Sequence, residues 1–299
     1  MTAVASPTAG SAGRPRAGSL RFPFAWLGTV PFLGYVSLFL LLPTAIVVAG
    51  AFAGARGPSL ANISALTQPY IVDSFVHSVV LSAASAAIGA VVGAILAYVL
   101  ATGNREGAVR RVVTAACGVL SQFGGVTLAF AFIATIGGAG FVTLWLQQHG
   151  INIYANGVWL YQLSGLILVY TYFEIPLMVI VFLPALDGIR PQWREATANL
   201  GGSSWHYWRH VAGPLLFPSF LGCLLLLFAN AFSAYATAAA LINQGGIIVP
   251  LQISNALSSE VGLAQADVAS ALALAMVLIV VVVTVLYSTL QRRTARWLP

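Results

Sequence analysis

Lysine is absent from this chain: all thirteen basic residues are arginine, set against seven acids. The phosphate-cradling loop G-x-x-x-x-G-K-[ST] and Schiff-base chemistry both require a lysine, so both are excluded. Charge of either sign is scarce, at 7% of 299 residues, whereas a soluble domain carries about 25%. A chain so poor in charge has no means of covering a water-facing surface, which excludes a soluble enzyme. Two cysteines, Cys117 and Cys223, lie inside apolar runs and make no disulfide framework or metal site. The four histidines form no Cys/His ligand pattern. His206 and His210 stand four apart among arginines, which reads as an interfacial pair and not as metal ligands.

What the chain does have is hydrocarbon: 59% of its residues are hydrophobic and the mean hydropathy is +0.91. A helix crossing a bilayer needs about 20 mostly apolar residues. Six stretches qualify, at roughly 24–52, 74–101, 112–136, 161–186, 214–241 and 268–290. None carries the polar face of a helix on a soluble core. The fold class expected is therefore all-α, a polytopic membrane bundle of six transmembrane helices. Residues 1–20, rich in Ala, Gly, Ser and Pro, lack the apolar surface to fold and are expected to be a disordered cytoplasmic tail ahead of a 21–299 membrane domain. The first apolar run is about twice as long as the h-region of a signal peptide, so it is expected to remain as an anchor.

The arginines orient the bundle. Arg14, Arg16 and Arg21 precede the first span; Arg105, Arg110 and Arg111 lie between the second and third; Arg190, Arg194 and Arg209 lie between the fourth and fifth; Arg292, Arg293 and Arg296 follow the sixth. Twelve of thirteen thus share one side, and only Arg56 falls on the other. The positive-inside rule makes that side cytoplasmic, with both termini inside. Asp73, Glu260 and Asp267 fall at the outer side. Trp145 and Trp159, with Tyr154 and Tyr161, suit the outer interface, and Trp26, Trp193, Trp205, Trp208 and Trp297 the inner one. The pI of 9.7 therefore reads as membrane orientation. Arginines spread over four segments make no nucleic-acid face.

The longest polar cytoplasmic segment is residues 187–213, reading DGIRPQWREATANLGGSSWHYWRHVAG. Pro191 suits the first turn of a helix, residues 194–200 are good helix formers, Gly201-Gly202 ends the helix, and Ser203 or Ser204 is available to cap the next. A connection of this length exceeds the usual 2–8 residues or so, which favours a docking role.

Here the residues resemble a family. Glu195-Ala196-Thr197, three residues, Gly201, nine residues and Val211-Ala212-Gly213-Pro214 follow the E-A-A-x(3)-G-x(9)-I-x-L-P loop of inner-membrane permeases in binding-protein-dependent ABC importers. Glu195, Ala196, Gly201 and Pro214 match outright; Thr197 and Gly213 depart from the pattern. The resemblance implies a type I importer permease fold and a coupling helix seated on a separate ATPase. Arg194, Glu195, Ala196, Leu200, Gly201, Gly202 and Pro214 are the implied coupling positions. It also implies the partners: a second permease subunit, two ATPase subunits and a soluble or lipid-anchored substrate-binding protein, in a bacterial cytoplasmic (inner) membrane. ATP and magnesium would be held by the ATPases, with no cofactor or catalytic residue in this chain. The outer loops 137–160 and 242–265 are the natural face for the binding protein, and residues 141–149 are expected to form a short interfacial helix.

Three further segments, Gln122–Ile133, Tyr172–Met178 and Phe228–Thr237, look like the spermidine/putrescine branch of these permeases, so polyamine is the expected cargo. Relatives for aminoethylphosphonate, iron and thiamine share the branch. Polar residues in hydrocarbon are costly and usually face a pathway. Gln122, Glu174, Asn230 and Ser233 fall at depth, and Tyr170, Tyr172 and Tyr235 offer aromatic faces to a cation. Glu174 is open to two readings: attraction of a passing amine, or a protonated or hydrogen-bonded group in a helix contact beside Pro176. Gly89 and Gly93 form a G-x-x-x-G suited to close helix packing. Gly124-Gly125 offers a break in the third span. A secondary transporter would need coupling-ion sites and usually an internal repeat, and an intramembrane enzyme a nucleophile–base or metal set; neither is found.

Overall fold

The computed structural model describes residues 29–53, 57, 59–104, 106–155, 157–242, 247–258 and 263–295. The expected tail, and with it Trp26, Arg56, Arg105, Glu260, Arg296 and Trp297, lies outside the described residues. Among those described, every regular element is helical, and six helices are long and apolar enough to span a bilayer. The expected all-α class holds.

Residues 1–46 and 47–299 form two units by contact. The first unit contributes most of α1 (Val30–Ala51), apolar throughout and passing through a π turn at Ser37–Leu41. The second unit begins with the short α2 (Ala61–Ala65) and then α3 (Pro69–Thr102), 34 residues long, started by Pro69 at its first turn. α3 descends to the cytoplasmic side, where α4 (Ala108–Leu120) begins the return.

The third crossing, expected over 112–136 with a break on offer at Gly124-Gly125, is shifted along the chain: the candidate span runs Gly125–Gln148. α4 stops at Leu120, and α5 (Gly125–Ile136) restarts after a turn. Gly125 takes φ +73°, a left-handed conformation that a Cβ opposes, so the glycine pair breaks the helix where the sequence offered it. α6 (Phe141–Gln148) is the short helix expected over 141–149, and it falls within that candidate span. The fourth crossing, α7 (Leu163–Asp187), is continuous through Pro176 and Pro184. α8 (Pro191–Asn199) lies in the cytoplasmic loop. α9 (Ser204–Ser233) re-enters through a π turn at Trp208–Ala212. The fifth crossing also departs from expectation: it begins ten residues before Pro214 and breaks at Ala234, after which α10 (Ala236–Leu241) follows. α11 (Val249–Ser258) and α12 (Leu263–Ala295) complete the chain.

α3 and α7 form the central pair. The buried face of α3 is a stripe of small residues: Ser74, Ser78, Ser82, Ser85, Gly89, Gly93 and Ala97. Steps of three and four keep them on one side of the helix. Their hydroxyls are satisfied locally; Ser74 donates to the Tyr70 carbonyl at 2.9 Å and Ser82 to that of Ser78 at 2.7 Å. A polar stripe can therefore be buried without orphaned groups. A Cβ built on Gly89 would fall 2.6 Å from Glu174 Cβ, and one on Gly93 would fall 2.5 Å from Met178 Cβ. The expected G-x-x-x-G is thus the point of closest approach.

Two apolar clusters lie above and below this contact. The outer one gathers Leu128, Leu160, Leu166, Val169 and Phe173; the inner one gathers Met178, Val179, Phe182, Leu186 and Leu216. Residues 242–265, read from sequence as an outer loop, need correction. Val249, Pro250 and Leu251 of α11 are buried, and the Val249 N–H donates to Ser78 Oγ at 2.8 Å. Gln252 Nε2 reaches Ser74 Oγ at 3.1 Å. Apolar residues at the start of α11 satisfy their burial against the α3 stripe, so this half of the loop dips inward.

Candidate functional site

At the cytoplasmic end, α8 is terminated by its own backbone. Gly201 adopts φ +76°, its N–H donates to the Ala198 carbonyl at 2.9 Å, and the Gly202 N–H donates to that of Thr197 at 2.9 Å. This is the Schellman arrangement, which needs a residue free of Cβ strain at the left-handed position. Ser203 caps the next helix, its Oγ 2.9 Å from His206 Nδ1 and accepting from the His206 N–H. Thr197 bonds back to the Trp193 carbonyl at 2.8 Å, so its hydroxyl fits the helix where the motif has alanine.

The result is a knob. Arg194, Glu195, Ala196, Gly201 and Pro214 are exposed, Gly202 is half-buried, and Leu200 is 88% exposed. A leucine with nearly all its surface bare at the tip of a rigid turn has no role in this chain's own core. Behind it, Arg110 on α4 pairs with Asp187 at the end of α7 and anchors the base of the loop. Arg110 had been legible only as a topological charge.

The mid-depth residues divide. Gln122 stands exposed in the turn between α4 and α5, and Asn230 and Ser233 are exposed near the end of α9. The two helix breaks meet: the Gly125 N–H donates to Thr237 Oγ1 at 2.9 Å, and Tyr170 Oη donates to the Ala234 carbonyl at 2.6 Å. Each bond satisfies a backbone group freed by a break, as hydrocarbon requires. Thr237 was missed as a functional position, although it closes the segment Phe228–Thr237 that carried the resemblance. Irregular backbone at membrane depth is tolerated where it is buried in protein or lines a cavity, and these paired breaks present Gln122, Ser233 and Tyr235 at their edge. Tyr235, exposed, lies 2.9 Å from Ser254 Oγ, and Tyr172 packs edge-on to Phe132.

Glu174 and Tyr170 do not join that exposed set. Glu174, at the middle of α7, has no exposed surface, and neither carboxyl oxygen makes a hydrogen bond of good geometry. Asn230 is the side chain that interacts with it. Tyr170 is also fully buried, spent on the Ala234 carbonyl. Tyr172, two positions before Glu174, points to the other face of the helix, so the three tyrosines offered to a cation do not all share a face with Glu174. Among the described residues no group of three His, Cys, Asp or Glu is placed to hold a metal. His206 and His210 stack on each other, ring centroids 6.0 Å apart, at the exposed inner surface.

A family model described as "Binding-protein-dependent transport system inner membrane component" matches residues 150–298. The thiamine transport system permease protein ThiP of Escherichia coli (strain K12) is 28% identical over 147 residues, which is 48% of this chain and 26% of that protein. The same protein of Salmonella typhimurium (strain LT2) is 27% identical over 141 residues, 46% of this chain and 25% of that one. The match spans about a quarter of the length of these curated relatives. Among solved structures, a bacterial ABC transporter involved in the import of the acidic polysaccharide alginate superposes with a TM-score of 0.74 at 18% identity, covering 90% of this chain and 94% of that one. The MetNI methionine ABC transporter, in inward-facing conformations, gives 0.55 at 16% identity over 75% and 96%. At these identities the likeness is one of fold.

Proposed function

We propose that this chain is the permease subunit of an ATP-driven importer, set as a multi-pass protein in the inner membrane, a reading supported by the match of residues 150–298 to the model of binding-protein-dependent transport system inner membrane components. The observation that carries the reading is the α8 knob, a short helix locked by its Gly201 turn and tipped by bare Leu200. In this proposal α8 docks on an ATPase subunit, and a second permease carries the matching helix. Nucleotide and magnesium belong to the two ATPase subunits, in keeping with the absence of lysine. Closure of the ATPases draws the two docked helices together, and α7 and α9, rigidly continuous with the loop, transmit that displacement to the bundle. A substrate-binding protein delivers cargo at the outer side, and the paired helix breaks at Gly125 and Ala234 border the path.

For cargo we favour a small organic cation, thiamine first, because the curated relatives are thiamine permeases and a buried acid, Glu174 on α7, interacts with Asn230, which is exposed near the end of α9. Spermidine or putrescine is the second reading, resting on the segment resemblance. Replacing Glu195 with Lys or Leu200 with Glu is expected to abolish co-purification of the ATPase while the permease still inserts and unfolds at an unchanged temperature. Retention of the ATPase by both variants would overturn the coupling assignment. Uptake of labelled thiamine and labelled spermidine by cells carrying Glu174→Gln decides the cargo question. Loss of thiamine uptake alone supports the first reading, loss of spermidine uptake alone supports the second, and normal uptake of both removes Glu174 from the path.

A further inference from the structure

Two cavities meet at the inner end of the bundle. One, about 220 Å³, is lined by Tyr98, Thr102, Arg194, Ser204 and Tyr207. The other, about 330 Å³, is apolar, walled by Ala94, Ile95, Phe182, Leu216, Phe217 and Phe220. Tyr98, Leu186 and Trp208 line both, so the polar space adjoins the apolar one. We infer that together they bind one anionic phospholipid of the inner leaflet, its phosphate beside Arg194 and an acyl chain along the phenylalanine-lined crevice.

Charge selects the headgroup. Arg194 is the single charged residue in the polar lining, which includes no carboxylate, and Tyr98, Ser204 and Tyr207 bring hydroxyl donors. The nearby Asp187 is engaged by Arg110. Depth agrees: Trp208 and Tyr98 pack edge to face, ring centroids 5.3 Å apart, and amphipathic rings of this kind settle at headgroup level. The crevice faces outward on the hydrocarbon side, where Ile95 is 60% and Phe217 54% exposed. A soluble anion would leave that crevice unfilled, and a protein segment arriving from the cytoplasm would reach only the polar half. An amphipathic ligand lying in the membrane matches both halves.

The site joins four elements. Tyr98 lies in the last turns of α3, Phe182 and Leu186 near the end of α7, Arg194 on α8, and Ser204, Tyr207 and Trp208 open α9. A lipid held there would tie the projecting loop to the bundle.

The experiment uses the full-length chain, stripped of lipid in detergent and offered equal phosphatidylglycerol and phosphatidylcholine, with bound lipid counted by native mass spectrometry. One phosphatidylglycerol is expected to be retained with a preference of about fivefold, in keeping with the attraction of one basic residue to an anionic lipid. Arg194→Gln is expected to equalise the two lipids, and Arg194→Lys to keep the preference. Ala94→Phe, which fills the crevice, is expected to lower retention of both. Equal retention by the unsubstituted chain, a preference that survives Arg194→Gln, or complete displacement of the lipid by inorganic phosphate would each overturn the assignment.

Discussion

Gly93 and Gly118 are both helical glycines in apolar surroundings, yet they differ in what stands next to them. A Cβ at Gly93 meets Met178 Cβ at 2.5 Å and the Ile175 carbonyl oxygen at 2.7 Å, whereas one at Gly118 meets nothing within 4 Å. Gly93→Ala is therefore expected to destabilise the detergent-solubilised protein by about 1–3 kcal/mol, the usual cost of overpacking. Gly118→Ala is expected to be neutral or to stabilise by about 0.5–1 kcal/mol, since it lowers the backbone entropy of the unfolded chain. Thermal unfolding of the two variants side by side checks the pair. Ser78 poses a different question. Its hydroxyl accepts the buried Val249 N–H, and Ser78→Ala would leave that donor without a partner at a cost of about 1–3 kcal/mol. Limited proteolysis within 249–258, faster in the variant, would locate the effect on α11.

At the scale of elements, α8 was almost wholly legible. Pro191, Gly201, Gly202 and Ser203 are local signals, and each occupies the position its chemistry indicated. Gly201→Ala places a Cβ at φ +76° and is expected to cost about 1–2 kcal/mol, read as weakened ATPase retention with unchanged membrane insertion. The broken third and fifth crossings were legible only in part. Gly124-Gly125 announced a break, but nothing in the local text announces that Ala234 breaks too, or that Thr237 receives the Gly125 N–H across 112 residues. The Arg110–Asp187 pair is equally non-local, joining positions 77 residues apart. Its side chains remain 16% and 32% exposed, so the pair is expected to contribute about 1 kcal/mol or less. A double-mutant cycle of Arg110→Ala and Asp187→Ala, followed by thermal unfolding, measures that coupling.

Across the whole molecule, composition determined the solvent and arginine placement determined the orientation. Both are sums over the chain: hydrocarbon accepts a helix by its length and apolarity, and a loop's side is set by its basic residues. Neither depends on which helix touches which, so the sequence alone carried the span number, the expected cytoplasmic ends and the α8 knob, whose geometry is written within thirteen residues. The tertiary structure alone decided the use of the polar residues at depth. Glu174, open in the sequence to reading as a cation site or a packed acid, is enclosed where the serine and glycine stripe of α3 lets α7 come close. Tyr170 and Thr237 satisfy the backbone of two helix breaks, and residues 249–251, written as an outer loop, are drawn inward to Ser78. A buried polar group is defined by the partner that meets it, and that partner lies on a distant segment which only folding brings within reach.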